Sequence, residues 1–154
     1  MKILIDADSC PKDARDLVSK RAVKLNLRLI YAANRAIPGA NGIEMEICAN
    51  TENSADDRLV ELAEKGDLVI TRDIPLAKRL VENDVNVLAD RGRVITKNNI
   101  NELLSIRNFT VGLADNGMGI ERTSNYDKKA LKQFADSLDR FLTKIMGTLE
   151  TNTV

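Results

Sequence analysis

Short apolar runs and amphipathic stretches alternate along this chain from its first residues. Lys2-Ile5 is a brief apolar run closed by Asp6, the pattern of a buried strand. From Pro11 to about Leu25, Leu17, Val18, Ala22 and Leu25 fall on one helical face. Pro suits a first helical turn because its missing N–H would have no partner there, and Asn26 is placed to close the helix. Leu27-Ala32 and Ile43-Ile47 read as the second and third strands, across a loop carrying Pro38, Gly39 and Gly42. Ser54 is placed to cap a helix that continues through Lys65 and stops at Gly66, and Asp67-Thr71 reads as the fourth strand. Ile74-Pro75 opens a helix ending near Asn83, Val85-Leu88 is a further strand, and Arg91-Gly92 turns the chain into Val94-Thr96. A short helix is expected over Asn98-Ser105. A link rich in glycine (Gly112, Gly117, Gly119) then leads to a long amphipathic helix over Tyr126-Met146, with Ala130, Phe134, Leu138, Phe141 and Ile145 in one stripe.

Strands alternating with helices predict a three-layer α/β/α fold around a mainly parallel central sheet. At 154 residues the chain fits one domain, expected over residues 1–146 with a flexible tail over 147–154. The stripe through Phe134 and Phe141 fits a core face, with a homodimer face as the alternative. In sheets of this kind ligands collect beyond the carboxyl ends of the strands, so the chemistry is sought there.

Composition narrows that chemistry. Hydrophobic residues make up 44% and charged residues 30%, an ordinary globular balance. Lys+Arg and Asp+Glu both number 23, so no whole-protein charge draws the chain to nucleic acid or to a membrane surface. Aromatic residues are only 3% with no Trp, which argues against holding single strands by base stacking. The chain has no histidine at all, which excludes Ser-His-Asp and Cys-His catalysis and His-ligated zinc. Cys10 and Cys48 form no C-x-x-C pair, and a reduced, cytoplasmic chain is expected. No apolar run approaches the roughly 20 residues of a membrane span, so no membrane partner is expected.

Carboxylates remain. Asp6 and Asp8 follow the first strand, Asp73 follows the fourth, and Asp56 lies near the start of the helix leading into it. A parallel sheet brings Asp6 and Asp8 together with Asp73 at one edge, where like charges raise one another's pKa unless a cation joins them. An all-oxygen donor set suits Mg²⁺ or Mn²⁺, one ion or two, which clamp a phosphodiester and activate water. An Asp after a strand also serves as a helix cap, and Asp8-Ser9 is placed to cap the first helix. Asp56 is preferred to Asp57 because Leu59, Val60 and Ala63 put it beside the buried face, whereas Asp57 lines up with Glu61 and Glu64. On the substrate side, Ser9 is placed to orient a carboxylate or a water, Thr71 to support Asp73, and Arg72, Arg91, Arg93 and Lys97 to hold phosphate.

Three motifs carry a resemblance: Asp6-Ala7-Asp8-Ser9-Cys10-Pro11, Ala55-Asp56-Asp57-Arg58-Leu59-Val60, and the run from Gly66 through Thr71-Arg72-Asp73-Ile74-Pro75 to Ala77. Together with Arg91-Gly92 and Leu138-Asp139-Arg140, they resemble the signatures of the YaiI/YqxD family of bacterial proteins over nearly the whole chain. The fold of that family is similar to that of PIN-domain nucleases, which bind Mg²⁺ or Mn²⁺ on a few acids to cut RNA. The resemblance implies a PIN-like nuclease in which Asp6, Asp56 and Asp73 are the matching acids, with Asp8 close by. Asp90 stands where the family usually has a non-acidic residue and is not counted as a ligand. The segment from Gly119 to Thr123 lacks the family's Gly/Pro-rich pattern.

Two other classes share some of these features. Asp6-x-Asp8 also resembles the acid pair of haloacid-dehalogenase-type phosphatases, but Gly66-Asp67 precedes its strand where that mechanism needs an acid after one. A non-catalytic regulator that binds metal or nucleotide would keep the same acidic edge.

Overall fold

A computed structural model describes residues 1–37, 43–48, 54–115 and 126–152. The order of elements is β1 (Lys2–Asp6), α1 (Lys12–Leu25), β2 (Arg28–Ala33), β3 (Glu44–Ile47), α2 (Ser54–Leu62), β4 (Leu68–Ile70), α3 (Ile74–Glu82), β5 (Asn86–Leu88), β6 (Val94–Ile95), α4 (Ile100–Asp115) and α5 (Lys128–Asn152). The expected loop residues Pro38, Gly39 and Gly42, and the segment from Gly117 through Thr123, lie outside the described residues.

The six strands form one sheet in the order β3-β2-β1-β4-β5-β6. All neighbours are parallel except β5 and β6, which run antiparallel. Alternation along the central strands sorts the core into two layers. Ile3, Ile5, Tyr31, Leu68 and Ile70 pack with Ala14, Val18, Phe134 and Leu138, beneath α1 and α5. Leu4, Ile30 and Val69 pack with Leu59, Leu76, Leu80 and Ile100, beneath α2, α3 and α4. Central strands covered on both faces need apolar residues at every position, which is why β1 and β4 read as unbroken apolar runs. Phe134 and Leu138 are fully buried, so that part of the α5 stripe is core.

Local chemistry sets several boundaries. Asn26 closes α1 in the left-handed region at φ 55°, its own N–H returning to the Val23 carbonyl and that of Leu27 to Ala22. α2 stops at Leu62, short of the expected Lys65, because the Asp67 carboxylate takes the Glu64 N–H at 2.9 Å in place of a helical carbonyl. α4 is the larger departure. It begins at Ile100 and continues through Gly112 to Asp115, well past the expected end at Ser105. Ile106 and Phe109 are exposed, so the apolar period breaks while the backbone continues helical. α5 likewise runs beyond Met146, into the segment expected as tail; residues 153 and 154 lie outside the described residues. Among the described residues, no helix is long and apolar enough to cross a membrane.

Candidate metal centre

The chain leaves β1 toward β2 on one side of the sheet and returns to β4 on the other. Such a reversal opens a crevice beyond the carboxyl ends of the two strands, because their following loops turn in opposite directions. β1 and β4 end side by side, Ile5 level with Ile70, so Asp6 and Thr71 are the first residues at that crevice.

Asp6 is buried at 7% exposure. Its Oδ2 accepts hydrogen bonds from the Ser9 hydroxyl at 2.9 Å and the Thr71 hydroxyl at 3.0 Å. Among the described residues its Oδ1 receives none. Burial pushes the Asp6 carboxyl above its ordinary range, the two hydroxyls oppose this, and the charges of Asp73 and Asp8 add to it. Ser9 and Thr71 thus both donate to Asp6, and the Thr71 hydroxyl also accepts the Asp73 N–H at 3.1 Å.

Asp56 lies in the first turn of α2 and is half-buried. Its pKa is pushed up to about 6, first by burial, then by the charges of Asp73 and Asp6 and by a hydrogen-bonding contact with Asp73, while Arg79 opposes. Asp73 also caps α3, its Oδ1 accepting the Leu76 N–H at 3.1 Å, with Pro75 in the first turn. The capping role and the clustering role thus fall on one residue. Asp57 is exposed and pairs with Arg79 at 2.9 Å, away from this contact.

Asp8 lies beside Asp6, on whose carboxyl its charge acts. Its carboxylate accepts the Asn34 N–H at 2.7 Å and staples the loop after β1 to the end of β2. It does not cap α1, whose N-cap is Pro11 with no side-chain cap. Asp67 sits at the opposite edge, holding the N–H and ammonium of Lys2, so it adds nothing to a phosphatase-type acid pair with Asp6.

The basic residues divide. Arg72 lies at the crevice and is paired with Asp90; Arg91 lies 5.7 Å over the Tyr126 ring; Arg93 is exposed in the turn between β5 and β6. Lys97 is a correction: it pairs with Asp84 at 2.6 Å, at the far edge. Because β6 runs antiparallel to β5, whatever follows β6 lies beside whatever precedes β5. The feature that the sequence did not expose is Asp90 itself, buried at 4%. Cys10 and Cys48 are both free thiols, and burial pushes Cys10 up to about 12, which makes it inert.

Among the described residues no group of three acidic or cysteine side chains is placed to hold a metal ion unaided. The donor chemistry nevertheless fits a hard cation. Mg²⁺ is ordinarily held by one or two carboxylates, with water and substrate phosphate completing its shell. Asp56 and Asp73 have the donor chemistry of such a pair, and Asp6 is among the charges acting on Asp56.

Comparison with known proteins agrees with the motifs. Residues 4–144 match the family model described as "Uncharacterized BCR, YaiI/YqxD family". A "UPF0178 protein" of Treponema denticola is 46% identical, covering 95% of this chain and 94% of its own. Those of Treponema pallidum and Ectopseudomonas mendocina are 40% and 38% identical, covering 95% and 94% of this chain and 84% and 99% of their own. No solved structure matches.

Proposed function

The chain belongs to the YaiI/YqxD family, and from that premise we propose that it is a divalent-metal-dependent phosphodiesterase of the bacterial cytoplasm, cutting RNA in the manner of PIN-domain nucleases. The observation that carries this is the Thr71 hydroxyl, which donates to Asp6 and accepts the Asp73 N–H, tying two acids from the ends of different strands together at the β1/β4 crevice. Asp56 joins them: burial and the charges of Asp73 and Asp6 push its carboxyl up to about 6. Like-charge crowding of this kind is what a bound cation relieves.

Asp56 and Asp73 would hold Mg²⁺ or Mn²⁺ through oxygen, with Asp6 completing the negative field. When bound, the ion supplies Lewis-acid polarisation of a phosphodiester and a more acidic water. Ser9 and Thr71 orient Asp6 and oppose the effect of burial on it by donating to one of its oxygens. Asp8, tied to Asn34 at the rim, would serve as an added ligand or as the base for the attacking water.

Calorimetric titration of Mg²⁺ and Mn²⁺ into wild type and Asp6→Asn/Asp73→Asn tests the site. Saturable binding to wild type alone, followed by metal-dependent cleavage of single-stranded RNA that Asp6→Asn abolishes, is the expected result. Saturable binding without turnover on RNA or DNA would favour the non-catalytic regulator. No metal binding, with or without RNA, would make the acidic edge structural.

A further inference from the structure

Arg72 and Asp90 form a second unit at the same edge, independent of the three acids. The Arg72 Nε and Nη2 groups both donate to Asp90 Oδ2, at 3.0 and 2.5 Å. Burial across the pair is uneven: the Asp90 side chain is 6% exposed, the Arg72 side chain 52%. An ion pair that served only to tie two loops together would gain nothing from sinking one partner, because burying a carboxylate is costly. Sinking the acid beneath the cation does one further thing, which is to fix the direction of the guanidinium while its outer edge stays in solvent.

The mount for Asp90 is elaborate. It follows β5 in a turn closed by the Gly92 N–H to the Ala89 carbonyl at 2.9 Å. The Tyr126 hydroxyl donates to the Asp90 carbonyl. Gly92 adopts φ +98°, and a Cβ there would meet the Gln133 carbonyl at 2.6 Å, so the turn lies directly against the α5 backbone. Three contacts thus fix the backbone that carries this carboxylate. Its target stands between Thr71, which binds Asp6, and Asp73, which touches Asp56.

We propose that Arg72 is a phosphate-recognition residue of this edge and that Asp90 is its positioning residue, presenting the free side of the guanidinium to a backbone phosphate of single-stranded RNA. Two donors are committed to Asp90, and the rest of the planar fork matches phosphate oxygens as a lysine would not. The inference rests on the phosphodiesterase reading for its substrate class, and goes beyond it in naming the phosphate contact and its support.

Electrostatics and positioning predict opposite signs for one variant. Asp90→Asn removes a negative charge, so simple charge counting expects tighter RNA binding. Positioning expects weaker binding, because Arg72 loses its aim. The probe is a fluorescein-labelled oligouridylate, its affinity read by fluorescence anisotropy across a salt series, once with Ca²⁺ and once with EDTA. Arg72→Gln should weaken binding about tenfold and make the slope of log K against log salt shallower by about 0.7, one phosphate contact on a single strand. Arg72→Lys should keep the slope but not restore the affinity. Asp90→Asn should weaken binding several-fold, and adding it to Arg72→Gln should cost nothing more. If Asp90→Asn fails to fold, the exposed Arg72 variants carry the test. Tighter binding in Asp90→Asn, unchanged binding and slope in Arg72→Gln, or no binding of the probe by wild type overturns the proposal. Mg²⁺ calorimetry on the same samples separates the two ideas: if wild type takes no metal while the RNA effects hold, the phosphodiesterase reading falls and the phosphate contact stands.

Discussion

Thr71 reaches from the end of β4 to Asp6 at the end of β1, its hydroxyl 3.0 Å from the carboxylate Oδ2. The same hydroxyl accepts the Asp73 N–H at 3.1 Å, so one buried side chain sets the relation between two acids that lie 67 residues apart in the chain. Thr71→Val keeps the shape and deletes both bonds. Leaving the Asp73 N–H and Asp6 short of partners should cost about 1–3 kcal/mol of stability, measured by chemical denaturation. Affinity for Mn²⁺ should fall by about 10–100-fold, the usual effect of removing a group that orients a ligand. Wild-type affinity in Thr71→Val would remove Asp6 from the ligand field.

Asp73 separates its two roles by substitution. Asn caps helices as well as Asp does, whereas Ala does not. Asp73→Asn keeps the cap and relieves the repulsion of Asp56, so it should be at least as stable as wild type, and Asp73→Ala should be about 1 kcal/mol less stable than Asp73→Asn. Both should lose metal binding. If Asp73→Asn still binds Mn²⁺ as wild type does, Asp73 is only a cap.

Asp56 makes a signed prediction in pH. In an unfolded chain it titrates near 3.8, and in the fold at about 6. The fold holds the proton more tightly, so this stabilisation is complete below pH 3.8 and is lost as the pH rises through about 6. Asp56→Asn is neutral throughout. Its Tm in EDTA should exceed that of wild type at about pH 8, and the gap should close by about pH 4, followed by calorimetry. A gap that did not change with pH would mean that Asp56 carries no like-charge stress.

Gly92 allows almost no substitution. Gly92→Ala meets both a positive φ and the Gln133 carbonyl at 2.6 Å, so either the turn or α5 must shift. A loss of about 1–3 kcal/mol is expected from urea denaturation. Oligouridylate binding should weaken as well, because the turn carries Asp90. Wild-type stability would show that α5 yields there at no cost.

Much of the molecule is settled by local pattern. The apolar runs of β1 and β4, the Asn26 closure of α1 and the Asp73-Ile74-Pro75 start of α3 depend on neighbours within a few residues, so their physics is written in consecutive positions. The carboxylates at strand ends are legible for the same reason, once alternation implies a parallel sheet. What a local pattern does not hold is partnership across the sheet. Asp90 and Arg72 are 18 residues apart and meet only because β4 and β5 are neighbours. Lys97 is carried to the far edge because β6 turns antiparallel, a choice no residue near it announces. Asp8 is drawn to Asn34 because the loop after β1 crosses the end of β2. Consecutive residues thus specify which elements form and which acids stand at their ends. Which of those acids crowd one another, which one holds an arginine and which also ties a loop is settled only in three dimensions, because strand order and packing set the distances between charges.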